Sequence, residues 1–211
     1  METILSAVIG ITILIFSVIV HENAHGLAAL ALGDETAKKA GRLSLNPLKH
    51  IDLFGSVIMP LIFLFTFGMI FGYAKPVPVN PRYFKDQRTG MMVTSLAGPF
   101  SNFFLAIIGS VLLASGIFAS GILILEFVIF INVVLGVFNL FPIPPLDGSK
   151  VLEGLLPRAW LSGYYKFERS VERYVVIILI LLMIVRPGFL SGFLITMVKP
   201  ILVLLGVESI V

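Results

Sequence analysis

Cysteine is absent from this 211-residue chain, charged side chains make up only 13% of it, and it holds one tryptophan and three histidines. Each shortage excludes something. Without cysteine there is no disulfide, no thiolate nucleophile and no sulfur-ligated zinc, so any metal must be held by histidine and carboxylate. So little charge beside 58% hydrophobic residues, with a mean hydropathy of +1.04, excludes an ordinary soluble domain. The formal net charge of +3 sits on cations that flank apolar runs, which suits anionic lipid and not nucleic acid. Met1-Glu2 lacks the basic region and small-residue cleavage site of a signal peptide, so the first apolar segment is expected to remain as a helix.

What the chain does have is long apolar runs. Membrane spans are expected at about 4–32, 91–115, 122–141, 174–186 and 189–206. All but two of the 15 Lys and Arg residues fall in three intervening segments, 34–52, 74–89 and 142–173, and the turn 116–121 is uncharged. The bias of cations toward the cytoplasm then places all three segments inside and the amino terminus outside. Segments 34–52 and 74–89 share a side only if 53–73, which carries Pro60 and three glycines, does not cross once. A re-entrant path satisfies this, and a plain spanning helix is the alternative. Gly41–Ser44 reads as a short strand, and 158–173, with Trp160, Tyr164, Tyr165 and Phe167 among charges, as an interfacial helix.

The sequence His21-Glu22-Asn23-Ala24-His25 lies inside the first apolar run. From Ile4 to Leu32 there is no Lys or Arg, and the two histidines and Glu22 are the only ionisable side chains. Ionisable groups in a span cost about 2.5–3.5 kcal/mol each on insertion scales, so their presence requires a purpose. Positions 21 and 25 are about 6 Å apart along one helix face, a spacing at which two imidazoles share one Zn²⁺. Glu22 points about 100° away, reaching a water beside the metal in the manner of a general base.

A catalytic zinc site needs a third protein ligand. His50 lies in a basic loop and reads as interfacial. Asp147 follows Pro142, Pro144 and Pro145, which force extended chain, and precedes Gly148, which permits a tight turn. From local sequence Asp147 is equally a helix cap for a helix Ser149–Leu156 closed by Pro157. Topology favours the ligand. The helix bearing the histidines and the helix ending at Asn139 must run parallel, which needs an odd number of crossings between them. The cation distribution leads to the same count.

These residues resemble the site-2 protease family of intramembrane zinc metalloproteases. The likeness runs from His21 to Leu156 and rests on five ordered motifs: His-Glu-x-x-His, Gly41-Arg-Leu-Ser-Leu-Asn-Pro47, Gly72-Tyr-Ala-Lys-Pro-Val-Pro-Val-Asn-Pro81, Ala97-Gly-Pro-Phe-Ser-Asn102 and Asn139 to Gly148. The resemblance implies His21, His25 and Asp147 as ligands to one Zn²⁺ per chain and Glu22 as the catalytic base. It implies substrates that are transmembrane helices of other proteins; the chain departs from larger members in having no PDZ or CBS module, so selection by such a module is not expected. Asn139 is the leading donor for an oxyanion, by its place near Asp147 and by the likeness. Asn102 either shares that role or orients substrate, with interhelical hydrogen bonding as the alternative for both. Asn23 stands where the family commonly has an apolar residue and is read as pairing with a neighbouring helix, with a hydrogen bond supporting the metal ligands as the alternative.

The expected fold is an all-α polytopic membrane protein of about five to six transmembrane helices, with a small re-entrant or β element near the active site. It forms one membrane-embedded domain, 1–211, with a catalytic core of about 1–157 and a C-terminal helical hairpin of about 171–206. The expected activity is hydrolysis of peptide bonds in or near transmembrane segments, in a prokaryotic cell membrane, with the site toward the cytoplasm. The partners are a membrane-protein substrate and the lipid bilayer, without nucleic acid. A non-proteolytic metal-binding protein or a metal transporter is the alternative. A substrate helix must unwind to be cut, and Gly41–Asn46 and Lys75–Pro81 are candidate edges for it to pair with.

Overall fold

The computed structural model describes residues 2–52, 58, 75–118, 121–186 and 188–207. The first apolar run, with no proline to interrupt it, forms helix α1 (Glu2–Ala31). It stops where Gly33 takes φ +101°, a conformation that glycine adopts without strain. One turn, α2 (Thr36–Lys39), follows. Two Asn-Pro pairs then build the same local device. The Asn46 side chain accepts from the Leu48 N–H and caps a 3-10 turn, Pro47–Lys49; Asn80 does so for Arg82 and Pro81–Tyr83. In each, the proline supplies a preset φ at a position whose N–H has no helical acceptor.

Helix α3 (Gln87–Ser115) is capped by Asp86, whose side chain accepts from Thr89 N–H, and ends at Gly116 with φ +67°. Helix α4 (Ile122–Asn139) stops just before the proline-rich segment. Helix α5 (Asp147–Leu155) begins at the aspartate itself, two residues ahead of the expected Ser149. Helices α6 (Leu161–Val185) and α7 (Phe189–Leu204) complete the chain.

Three of these helices are long and apolar enough to cross a membrane: Val8–Ala31 within α1, α3 and α4. Their outward faces are apolar, with Leu5, Ile11 and Ile15 on α1 and Phe100, Phe104 and Val111 on α3 all exposed. Helix α7 is apolar but has 16 residues. Helix α6 runs unbroken from the expected interfacial segment 158–173 into the expected span 174–186, because no Gly or Pro interrupts residues 164–185. No strand forms among the described residues, and Gly41–Ser44, expected as one, is a turn leading into irregular chain. The stretch 53–73, expected to re-enter, lies outside the described residues apart from Ile58.

Helices α1, α3 and α4 form the central bundle. Ser17 and His21 of α1 bond Asn102 of α3, while His25 bonds Thr94, so α3 runs antiparallel to α1. Asn132 of α4 bonds Ser17, and Asn139 stands in the cavity beside His25, so α4 runs parallel to α1. Close contact is made possible by glycine: a Cβ at Gly109 would lie 2.9 Å from Ile129, and one at Gly136 2.9 Å from Phe103. Toward the other end, Ala106 of α3, Ile129 and Val133 of α4, and Val198 and Leu202 of α7 form the apolar core.

Segments 34–52 and 75–86 lie together at the end of α1. The Asn80 N–H donates to Asp34 Oδ2 at 2.6 Å, and the Lys75 N–H to the His50 carbonyl at 2.9 Å. His50, expected at the interface, is buried instead, because its Nε2–H donates to the Ser44 carbonyl at 2.7 Å.

Candidate metal centre

The i, i+4 spacing places His21 and His25 on one face of α1, with rings perpendicular at a centroid separation of 4.6 Å. Each ring is fixed by its Nδ1–H. That of His21 donates to Asn102 Oδ1 at 2.6 Å, and that of His25 to the Thr94 carbonyl at 2.7 Å. Both Nε2 atoms are thereby left as acceptors and face one point. Asp147, brought there by the turn after α4, places Oδ2 3.1 Å from His21 Nε2 and 3.2 Å from His25 Nε2. The two Nε2 atoms are 3.0 Å apart.

This triangle fits a metal ion. Bonds of roughly 2.0–2.1 Å in a tetrahedral site set ligand atoms about 3.3 Å from one another. Three acceptors held at such distances repel unless a cation lies between them. Among the described residues, these three form the group of His, Asp and Glu side chains able to hold a metal.

Two glycines make room for the arrangement. A Cβ on Gly98 of α3 would lie 2.4 Å from His25 Nε2 and 2.6 Å from His21 Cε1, so only glycine lets α3 pass this close. One on Gly148 would lie 2.1 Å from the Leu140 carbonyl oxygen, so α5 packs directly on the end of α4. We expect Gly98→Ala to push the imidazoles apart and weaken metal affinity about 10–100-fold, the size of effect that outer-shell changes produce. Competition with a chelator of known affinity measures it, and unchanged affinity would count against the close approach.

Behind His21 runs a buried polar ladder. Asn102 Nδ2 donates to Asn132 Oδ1 at 2.9 Å, and Asn132 Nδ2 donates to Ser17 Oγ at 2.9 Å. Asn102 is fully buried and does not line the cavity. Its carbonyl oxygen accepts from His21, a hydrogen bond between α1 and α3.

Asp147 is steadied through α5. The Tyr164 hydroxyl of α6 donates to the Ser149 carbonyl at 2.7 Å, and Lys150 pairs with Glu168 at 2.6 Å. Burial works against the Lys150 charge, but Glu168 and Glu153 outweigh it and raise its pKa above the ordinary value. Arg88 of α3 donates to the Glu153 carbonyl at 2.7 Å, anchoring the far end of α5.

His21, Glu22, His25, Asn139 and Asp147 all line one cavity of about 310 Å³, with Pro76, Val77 and Val79 forming its other wall. Glu22 Oε2 accepts the Val77 N–H at 2.7 Å. Asn139 donates one amide hydrogen to its own helix, at Leu135. Asn23 bonds the Ile19 and Ser44 carbonyls, so it ties α1 to the segment 42–46 and not to a neighbouring helix. Sequence reasoning missed Thr94 and Val77, which act through main-chain atoms that any residue type supplies. Asn132 carried the only available signal, an amide inside an apolar span.

Residues 115–185 match the model of Peptidase family M50. Among curated proteins, the chain is 40% identical over 185 residues to YwhC of Bacillus subtilis (strain 168), spanning 83% of this chain and 80% of that protein. It is 33% identical over 156 residues to Rip2 of Mycolicibacterium smegmatis, spanning 69% and 58%, and 36% identical over 100 residues to MJ0611 of Methanocaldococcus jannaschii, spanning 46% and 50%. All three bear the provisional name of zinc metalloprotease. No solved structure gives a significant match.

Proposed function

Because this chain belongs to peptidase family M50, the site-2 protease family of zinc metalloproteases, we propose that it hydrolyses peptide bonds within or near transmembrane segments of membrane-protein substrates. The observation that carries this reading is the convergence of His21, His25 and Asp147 on one point, with Glu22 in the same cavity.

When bound by these three side chains, zinc supplies Lewis acidity toward a carbonyl and toward water. The chain's own residues do the rest. Glu22 takes the proton of the attacking water and returns it to the leaving amine. Asn139 retains one amide hydrogen for the oxyanion. Asn102 and the Thr94 carbonyl hold the two imidazoles in the tautomer that leaves Nε2 free. Of the two candidate edges for an unwound substrate, Lys75–Pro81 reaches the cavity through Pro76, Val77 and Val79, whereas no residue of Gly41–Asn46 lines it and its Ser44 carbonyl is engaged by Asn23 and His50. A transporter finds less support, since Ser17, Asn102 and Asn132 bond one another and are buried.

Purified protein in detergent, given a labelled transmembrane peptide, is expected to cleave it, to lose activity with 1,10-phenanthroline and to regain it with Zn²⁺. Cleavage indifferent to the chelator would overturn the reading.

We place the site toward the cytoplasm of a prokaryotic cell membrane, because the basic segments 34–52 and 75–89 share its side. Since the chain has no cysteine, Lys38→Cys, Lys85→Cys and Ser115→Cys give single exposed probes. Positions 38 and 85 are expected to label from the cytoplasm and 115 from outside. Labelling of 38 and 85 from opposite sides would refute this topology.

A further inference from the structure

Resting on the hydrolytic reading above, the geometry points to Arg42 as a positioning residue for the reaction. It grips the main chain of the segment that presents Val77 N–H to Glu22.

Arg42 stands outside the cavity and touches no metal ligand. It is 9% exposed, a rare place for a guanidinium that has no carboxylate partner among the described residues. Its donors go instead to main-chain oxygens from two segments. One terminal nitrogen bonds the Lys49 carbonyl, and the other bonds that of Lys75 at 2.7 Å and that of Pro76 at 3.4 Å. Among the described residues its buried Nε–H has no partner. What the placement achieves is a fixed start for segment 75–80.

The other end of that segment is fixed separately. Asp34, fully buried, accepts the Asn80 N–H at 2.6 Å and the Thr36 N–H at 2.9 Å. Burial alone would raise the Asp34 pKa, but the bonds from Thr36 and Asn80 overcome that and hold its carboxyl below the ordinary range. The carboxylate is therefore charged at neutral pH. Between the two anchors, Pro76 and Pro78 have no N–H, so Val77 and Val79 are the only amide donors. Val77 gives its N–H to Glu22, and its side chain packs above Gly26, where a Cβ would lie 3.0 Å away. The position of the Glu22 carboxylate thus depends on a main-chain amide whose own position depends on Arg42.

The test uses the full-length protein with Arg42→Lys and Arg42→Ala, each measured for zinc content, kcat and KM on a transmembrane peptide, and amide exchange in 75–80. Lysine keeps the charge but cannot bridge several carbonyls as the planar fork does. Zinc is expected to stay at one per chain. We expect kcat to fall about 10–100-fold, as for small misplacements near a reacting centre, and by more than any rise in KM. Exchange at Val77 is expected to accelerate in both variants. If Arg42→Ala does not accumulate as folded protein, Arg42→Lys alone decides. Wild-type kcat, a loss of zinc, or a fall in kcat without faster exchange in 75–80 would each overturn the proposal. Its failure is distinct from failure of the hydrolytic reading, which would show as chelator-insensitive cleavage by the wild type.

Discussion

Glu22→Gln is expected to abolish peptide cleavage while leaving zinc content and folding intact. Glutamine has the size of glutamate, and its carbonyl oxygen can still accept the Val77 N–H that Glu22 Oε2 accepts at 2.7 Å. The neighbouring imidazoles keep their own partners, Asn102 and the Thr94 carbonyl, so the ligand triangle does not depend on residue 22. What the amide cannot do is take a proton from water. General-base removal typically costs about 10²–10⁴ in rate. Co-expression with a tagged transmembrane substrate, read by fragment size, gives the rate, and elemental analysis of the purified variant gives the metal. Unchanged cleavage would remove Glu22 from the chemistry.

Asp147→Ala is expected to have an equally large effect by another route, through loss of the metal itself. The carboxylate supplies one of three converging atoms, 3.1 and 3.2 Å from the two imidazole nitrogens. Two histidines alone leave a zinc site short of the three protein ligands that catalytic centres use. The helix should survive, because α5 is held by Tyr164 on the Ser149 carbonyl, by Lys150 on Glu168 and by Arg88 on the Glu153 carbonyl, none of which involves residue 147. The predicted outcome is folded protein with far less than one zinc per chain and no cleavage. Full zinc occupancy in this variant would exclude Asp147 as a ligand.

The metal triangle was legible because its members are rare residue types in places that disfavour them. Two histidines and a glutamate in an apolar run, and an aspartate behind three prolines, each stand out against their surroundings. Asp147 also illustrates a limit: local sequence fitted a helix cap as well as a ligand, and only the side on which its helix arrives separates the two. The structure makes it both the first residue of α5 and a member of the triangle. The Asn-Pro pairs read locally and fold locally. The strand expected at Gly41–Ser44 does not form: the Arg42 N–H turns back to the Ala37 carbonyl, and the Ser44 carbonyl accepts from the Asn23 and His50 side chains. Other contacts were not legible at all. Asn102 finds His21 across 81 positions, and Val77 finds Glu22 across 55, through a main-chain N–H with no residue signature. Charge density falls where the expected segments 158–173 and 174–186 meet, but the backbone, lacking Gly or Pro there, stays helical through α6.

The most direct test of the metal centre is zinc-edge X-ray absorption on purified wild-type protein of known metal content. One zinc per chain is predicted, with two imidazole nitrogens and a carboxylate oxygen at roughly 2.0–2.2 Å. Protein that cleaves its substrate without stoichiometric metal, or a zinc whose shell contains no imidazole, would contradict it.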